Sequence, residues 1–206
     1  MTARMTARLG DTPALFGLVL AAGGSRRFGS PKALARFRGR TLIELAIERL
    51  HAVLGEQFAV VLGAHAELIA PSINLPPHQI FRQDHWVTGQ SASLQFGLSH
   101  LPQTFGATLV TLVDQPRVTA DDLQRLVSTW MSEPTRAVAS KYSAPDGSSV
   151  VGAPCILPRS WFSAVHTLEG DRGAGALLRA STGTLQVALP NAAYDIDTPE
   201  DLLRYG

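Results

Sequence analysis

Residues 18–32 read LVLAAGGSRRFGSPK and carry the clearest structural signal of the chain. A run of apolar residues with strand character gives way to small residues, then to two arginines and a lysine. Small residues let backbone N–H groups approach phosphate oxygens, and turns of this kind bind anions. The stretch predicts the first strand of an α/β fold, followed by a loop that holds the phosphates of a nucleotide.

Two common phosphate-binding loops do not fit this spacing. A P-loop places Lys directly after its second glycine, but Gly29 is followed by Ser30 and Pro31. The dinucleotide fingerprint needs three glycines as G-x-G-x-x-G, which Gly23, Gly24 and Gly29 do not supply. The alternative to a phosphate-binding loop is an ordinary glycine-rich turn whose basic residues are solvated and bind no ligand.

A triphosphate could lie along the whole loop. Arg27 offers a planar fork of donors, and Lys32 offers a mobile point charge. The predicted nucleotide-binding residues of the loop are Leu20, Ala21, Ala22, Gly23, Gly24, Ser25 and Lys32.

Composition sets the class of protein. The 206 residues are 45% hydrophobic and 17% charged, with a net charge of +1, which predicts one globular domain over 14–206 and a disordered tail over 1–13. The weak net charge argues against nucleic acid as a partner, and the apolar runs are too short to cross a membrane. Cys155 is the single cysteine, so the chain forms no intramolecular disulfide, which points to the reducing cytoplasm. Cys155 itself is expected to be buried.

Strand-like and helix-like segments alternate along the chain, which predicts a three-layer, Rossmann-like α/β fold with a mostly parallel sheet. A helix capped by Thr41 follows the phosphate loop. The predicted strands are 16–22, 58–62, 79–82, 107–113, 136–141, 150–157 and 185–189, and later helices are 91–101, 119–131, 159–166 and 174–180.

Acidic residues occur at two informative places. Asp114 follows a buried strand, so it lies at the carboxyl edge of the sheet, where a carboxylate can bind a cation; a turn-forming Asp is the alternative. Asp195 and Asp197 alternate in DIDTPED, which puts both on one side of an extended segment. A helix start explains 198–201 but neither aspartate. Mg²⁺ suits such a site because it takes one or two carboxylates plus phosphate oxygens.

Residues 89–98, GQSASLQFGL, predict a helix with many side-chain donors and acceptors in its first turn. Gln90, Ser91 and Ser93 are therefore candidates for binding the base or ribose, and an ordinary capped amphipathic helix is the alternative.

The loop resembles L-A-A-G-x-S-x-R-x-G-x-x-K, the signature of the MobA-like nucleotidyltransferases. In that family the aspartate of V-D-x-P, matched at 113–116, binds the catalytic Mg²⁺, and an aspartate of D-I-D-T-P-E-D completes the metal site. The resemblance implies catalytic roles for Arg27, Lys32 and Asp114. It implies metal binding by Asp114 and one further acid, with Asp197 favoured over Asp195.

The A-A-G-G-S form of the loop and the closing DIDTPED are closer to the molybdenum cofactor cytidylyltransferase (MocA-like) branch than to the guanylyl branch, which usually has L-A-G-G and a Lys preceded by Asp. This implies Mg²⁺-dependent transfer of CMP from CTP to a phosphorylated acceptor, molybdopterin or the molybdenum cofactor, with release of pyrophosphate. Residues 170–178 resemble G-D-x-G-A-R-x-L-L, which borders the acceptor pocket in relatives. Gly175 stands where relatives have Arg, and Arg172 is the candidate that compensates.

Two other functions stay open. One is cytidylyl or uridylyl transfer to a sugar phosphate or another small phosphate. The other is a non-catalytic carrier that delivers a pterin cofactor to a molybdenum hydroxylase.

Overall fold

The computed structural model describes residues 14–84, 89–144, 146–170 and 173–206. The tail predicted over 1–13 and Arg172 lie outside the described residues.

A seven-stranded sheet forms the centre of the molecule, in the order β5-β4-β1-β6-β8-β7-β9. Strand β1 pairs in parallel with β4 and β6, whereas β8 runs antiparallel to β6 and β7, so the predicted mostly parallel sheet is confirmed. The strands are β1 (Ala14–Ala21), β2 (Arg36–Phe37), β3 (Arg40–Thr41), β4 (Phe58–Leu62), β5 (Ile80–Arg82), β6 (Phe105–Leu112), β7 (Val138–Ser143), β8 (Ser149–Pro158) and β9 (Leu185–Ala188).

Helices cover both faces of this sheet. Capping boxes start three of them, at Thr41 with Glu44, at Thr119 with Asp122 and at Thr198 with Asp201, and the sequence predicts a helix start at each of these positions. The helices are α1 (Leu42–Leu54), α2 (Ala66–Ile69), α3 (Gln90–Ser99), α4 (Ala120–Ser132), α5 (Phe162–Val165), α6 (Gly175–Ala180) and α7 (Pro199–Tyr205).

Strand β1 separates two apolar cores because its side chains alternate between the faces of the sheet. Val19 packs in the core that contains residues of α1 and α4. Leu18 packs in the core on the other face, with residues of α3. Cys155 is fully buried in this second core, and burial raises the pKa of its thiol to about 12. The three-layer prediction is confirmed.

Two segments differ from the sequence prediction. The structure has a hairpin of β2 and β3 before α1, where no strand is predicted. Arg38 and Gly39 both adopt the positive φ that a two-residue hairpin turn requires. The helix predicted over 159–166 is a 3₁₀ turn, Arg159–Trp161, followed by the four residues of α5. The Arg159 guanidinium donates to the carbonyl of Phe105, the first residue of β6, and to that of Pro102 before it, which fixes the start of the 3₁₀ turn.

No helix among the described residues combines the length and apolar character needed to span a bilayer.

Strand β1 and helix α1 approach closely at Gly17. A Cβ on Gly17 would lie 2.9 Å from Cβ of Phe58 and 3.0 Å from methyl groups of Leu50 and Leu54. Gly17→Ala is expected to lower the free energy of unfolding by about 1–3 kcal/mol, because the core must shift to admit the methyl group. Urea denaturation measures the change.

Gly183→Ala is the matched control, since its Cβ would meet only Ser181 Oγ at 3.5 Å. This substitution should change the stability by less than about 0.5 kcal/mol. Equal stability of the two variants would contradict the close packing at Gly17.

Candidate active site

The predicted phosphate loop and Asp114 lie together at the carboxyl edge of the sheet. Strands β1 and β6 are parallel neighbours, so the residues that follow them are side by side, and Val113 N–H donates to Leu20 C=O at 3.3 Å. A cavity of about 530 Å³ opens here. It is lined by all the predicted loop residues, by Gln90 and Ser93 at the start of α3, and by Asp114 and Asp197.

The loop presents its backbone to the cavity. Ser25 adopts a positive φ of 49°, and its carbonyl accepts hydrogen bonds from the N–H groups of Phe28 and Gly29. Its hydroxyl oxygen accepts from Lys32 N–H at 3.0 Å. Among the described residues, the N–H groups of Gly23 and Gly24 donate to no backbone carbonyl. Such donors, held by a fixed turn, can bind phosphate oxygens.

Lys32 joins two carboxylates from distant parts of the chain. Its Nζ lies 2.8 Å from Asp114 Oδ2 and 3.3 Å from Asp197 Oδ1, and only 15% of its side chain is exposed. Burial by itself lowers the pKa of the Lys32 ammonium, but the Asp114 and Asp197 carboxylates outweigh burial and hold the pKa above its ordinary value. Lys32 is therefore charged at neutral pH.

Backbone contacts bring Asp197 to this place. Ile196 N–H donates to Asp114 C=O at 2.8 Å, so the C-terminal segment docks directly on the turn after β6. Asp197 N–H donates to Asp201 Oδ2 at 2.9 Å in the first turn of α7. The exposed Arg27 completes the cluster, with Nη2 at 3.1 Å from Asp197 Oδ2.

The second oxygen of Asp114 fits a cation site. Asp114 Oδ1 is buried and has no hydrogen-bond partner among the described residues, although buried carboxylate oxygens are normally paired. The described residues hold no group of three or more His, Cys, Asp or Glu placed to bind a metal. A cation here would rely on two carboxylates and on oxygens of the nucleotide, which suits Mg²⁺.

Asp195 is not among the residues that line the cavity, and it forms no ion pair with Lys32. Its surface is largely exposed, yet the surrounding protein still desolvates the carboxyl and the Asp114 carboxylate is near, which together raise the pKa of Asp195 to about 7. Burial, together with the charges of Asp195 and Asp114, raises the pKa of the Tyr142 hydroxyl to about 12. The structure brings Asp197, and not Asp195, into contact with Lys32.

The three candidates on α3 have different surroundings. Gln90 and Ser93 line the cavity, but Ser91 is buried and its hydroxyl donates to Gly170 C=O at 2.7 Å. The N–H of Ser91 donates to the same carbonyl at 3.1 Å. Ser91 thus anchors the start of α3 to the segment before α6 and does not face the cavity.

The sequence interpretation missed Arg49 and His65. Arg49 lies on the apolar face of α1, and its Nη1 donates to the carbonyls of Gln115 at 2.7 Å and Val118 at 2.8 Å, so it supports the turn that carries Asp114. Burial lowers the pKa of Arg49 to about 10. His65 lines the cavity from the loop after β4. The position of Arg49 on an otherwise apolar helix face was the signal that could have identified it. No sequence motif marks His65.

A second cavity, of about 320 Å³, adjoins the first. The two share Leu20, Gln90 and Leu112 in their walls. Residues of α3, β6, β8 and α6, with the two residues before α6, form the remainder of the second cavity. The site therefore offers two neighbouring volumes, as a reaction between two substrates requires.

The sequence of this chain is similar to those of known proteins. The family model described as MobA-like NTP transferase domain matches residues 17–186. The chain is 33% identical over 205 residues to nicotine blue oxidoreductase of Paenarthrobacter nicotinovorans, which covers 95% of this chain and 99% of that protein. It is 30% identical over 196 residues to a probable molybdenum cofactor guanylyltransferase of Rhodopirellula baltica, which covers 92% and 90%.

The fold is also similar to solved structures. The crystal structure of Rv0371c from Mycobacterium tuberculosis superposes with a TM-score of 0.78 at 25% identity, covering 93% of this chain and 97% of that one. A matching family model over most of the chain, with relatives aligned over nearly their full length, places the chain in the MobA-like NTP transferase family.

Proposed function

We propose that this nucleotidyltransferase moves CMP from CTP onto a phosphorylated acceptor, molybdopterin or the molybdenum cofactor, and releases pyrophosphate. The observation that carries the proposal is the contact of Lys32 with both Asp114 and Asp197 beside the phosphate loop. Two carboxylates and a largely buried lysine beside a phosphate-binding loop suit phosphoryl transfer. Catalysis of this reaction depends mainly on positioning the reactants and neutralising their charge.

The reaction is an in-line substitution at the α-phosphorus. An oxygen of the acceptor phosphate forms the new bond to phosphorus, the bond to the bridging oxygen breaks, and pyrophosphate leaves with that electron pair. A phosphate monoester is ionised at neutral pH, so no general base is needed. Lys32 and Arg27 stabilise the charge on the phosphates, and the backbone at 22–25 fixes the donor.

Asp114 and Asp197 are the residues that would hold Mg²⁺. The assignment is supported by the buried Oδ1 of Asp114, which has no hydrogen-bond partner in the part of the chain that the structure describes. When bound, Mg²⁺ neutralises part of the charge of the triphosphate. Asp195 is the reserve candidate, since its carboxyl is close enough to Asp114 for each charge to affect the other.

The choice of CTP rests on the A-A-G-G-S form of the loop and on DIDTPED at the C-terminal segment. The Rhodopirellula relative is named a guanylyltransferase, so GTP is the competing donor. A molybdenum hydroxylase would be the recipient of the product.

A redox function is the second candidate, because the Paenarthrobacter relative is named an oxidoreductase. A nicotinamide dinucleotide could place its pyrophosphate on the same loop and its nicotinamide in the second cavity. Hydride transfer makes no use of the acidic cluster around Lys32, which favours nucleotidyl transfer. Oxidation of NADPH with a planar dye as acceptor, in the absence of any CTP-dependent pyrophosphate release, would favour the redox function.

Asp114→Asn tests the acidic cluster. The change keeps the shape of the side chain but removes its charge, so turnover should fall about 100-fold or more while the fold persists. Pyrophosphate release in the presence of Mg²⁺, with circular dichroism as a check of folding, measures the effect. Asp121→Asn, an exposed acid in the first turn of α4, is the control and should keep full turnover. Near-normal turnover of Asp114→Asn would refute the assignment.

A panel of the four nucleoside triphosphates tests the donor. With Mg²⁺ and a molybdopterin acceptor, CTP should give the fastest pyrophosphate release and the largest thermal shift of the protein. Chelation of the divalent cation should abolish release. A clear preference for GTP would overturn the cytidylyl assignment and leave nucleotidyl transfer intact.

A further inference from the structure

The second cavity holds one feature without a role in the proposed reaction. Of the described residues that line it, Arg179 alone carries a charge. Most of its walls are apolar or small, including Leu94, Val110 and Cys155. Arg179 is an exposed residue, so its charge lies where this mostly apolar cavity meets the solvent. A cation in this position suits a ligand with an anionic group outside and a body that packs against the apolar walls.

Gly175 determines where the Arg179 guanidinium lies. The two residues are four apart on α6 and therefore share a helix face. A Cβ on Gly175 would lie 3.0 Å from Arg179 Nη1 and 3.4 Å from Val151 O. Arg179 Nη1 itself donates to Val151 O at 3.3 Å. The missing side chain at 175 thus leaves the space through which the guanidinium reaches the wall of the cavity.

None of the ion pairs among the described residues involves Arg179. Its contact with Val151 O is to a neutral carbonyl, which does not cancel the charge. A guanidinium has five N–H donors in a planar fork that matches phosphate oxygens, and this contact uses one of them.

Gln90 lies between the two cavities. Its side chain lines both, and its Oε1 is 2.7 Å from the position that a Cβ on Gly173 would occupy. Gly173 leaves room for the side chain of Gln90, and Gly175 leaves room for that of Arg179, where a Cβ would crowd them. A ligand held by Arg179 would therefore lie next to the nucleotide.

We infer that Arg179 binds the anionic group of the acceptor, in the space left open by Gly175. The inference rests on the proposed function, in which the acceptor is the second substrate. It also defines the acceptor as a phosphate monoester whose phosphate lies at Arg179 and whose remaining part occupies a cavity of about 320 Å³ with mostly apolar walls. Arg179 is a determinant of acceptor binding and takes no part in binding the nucleotide.

Calorimetric binding of phenyl phosphate to the full chain tests this site without turnover. Arg179→Gln should weaken binding about tenfold, the effect expected for loss of one charge-assisted contact. Arg125→Gln removes an exposed arginine on α4 and should leave the dissociation constant unchanged. Equal binding by Arg179→Gln and the wild type would overturn the inference, and so would an absence of binding to the wild type at millimolar concentration.

Moving the charge by one helical turn separates a binding role from a structural one. The double variant Gly175→Arg with Arg179→Gln should regain most of the lost affinity for phenyl phosphate. CTP affinity should be the same in all variants. Failure of the double variant to bind better than Arg179→Gln, with its fold intact by circular dichroism, would overturn the inference.

The two proposals fail in different ways. Phenyl phosphate binding that depends on Arg179, in a protein that releases no pyrophosphate from any nucleoside triphosphate, would overturn the proposed function and support the anion site. Acceptor-dependent pyrophosphate release with Arg179→Gln as active as the wild type would overturn the anion site and support the function.

Discussion

The shared contact of the Lys32 ammonium with Asp114 and Asp197 is the interaction on which the candidate site depends. Two carboxylates this close and partly buried would repel each other strongly without a cation between them. The lysine comes from the phosphate loop, one acid from the end of β6 and the other from the segment before α7. One ammonium group therefore fixes the relative position of three distant parts of the sequence.

Backbone and arginine contacts hold the same arrangement from outside. The Ile196–Asp114 hydrogen bond docks the C-terminal segment, and Arg49 supports the turn from beneath. Arg117 lies over the Tyr194 ring at 4.2 Å and donates to Tyr205 C=O at 2.7 Å, which ties α7 to the turn after β6. The acidic pair is thus placed by hydrogen bonds and stacking as well as by charge.

Local signals in the sequence were sufficient for most of the fold. The apolar run over 58–62 and the caps at Thr41 and Thr119 depend on nearby residues, and the structure has these elements where the pattern predicts them. The direction of β8 was not predicted, because alternation does not encode strand direction. Among site residues, Asp114 follows from its place after a strand, whereas the anchoring of Ser91 and the contact of Arg179 over Gly175 depend on tertiary packing.

The antiparallel direction of β8 has a wider consequence. Because β8 runs against its neighbours, its first residues lie at the carboxyl edge, where Val150, Val151, Gly152 and Ala153 line the second cavity. This wall can change in length and composition while the paired core of the sheet, and with it Lys32 and its acids, stays the same. Changes in this wall would therefore alter which ligands fit the second cavity while the cluster of Lys32, Asp114 and Asp197 keeps its place.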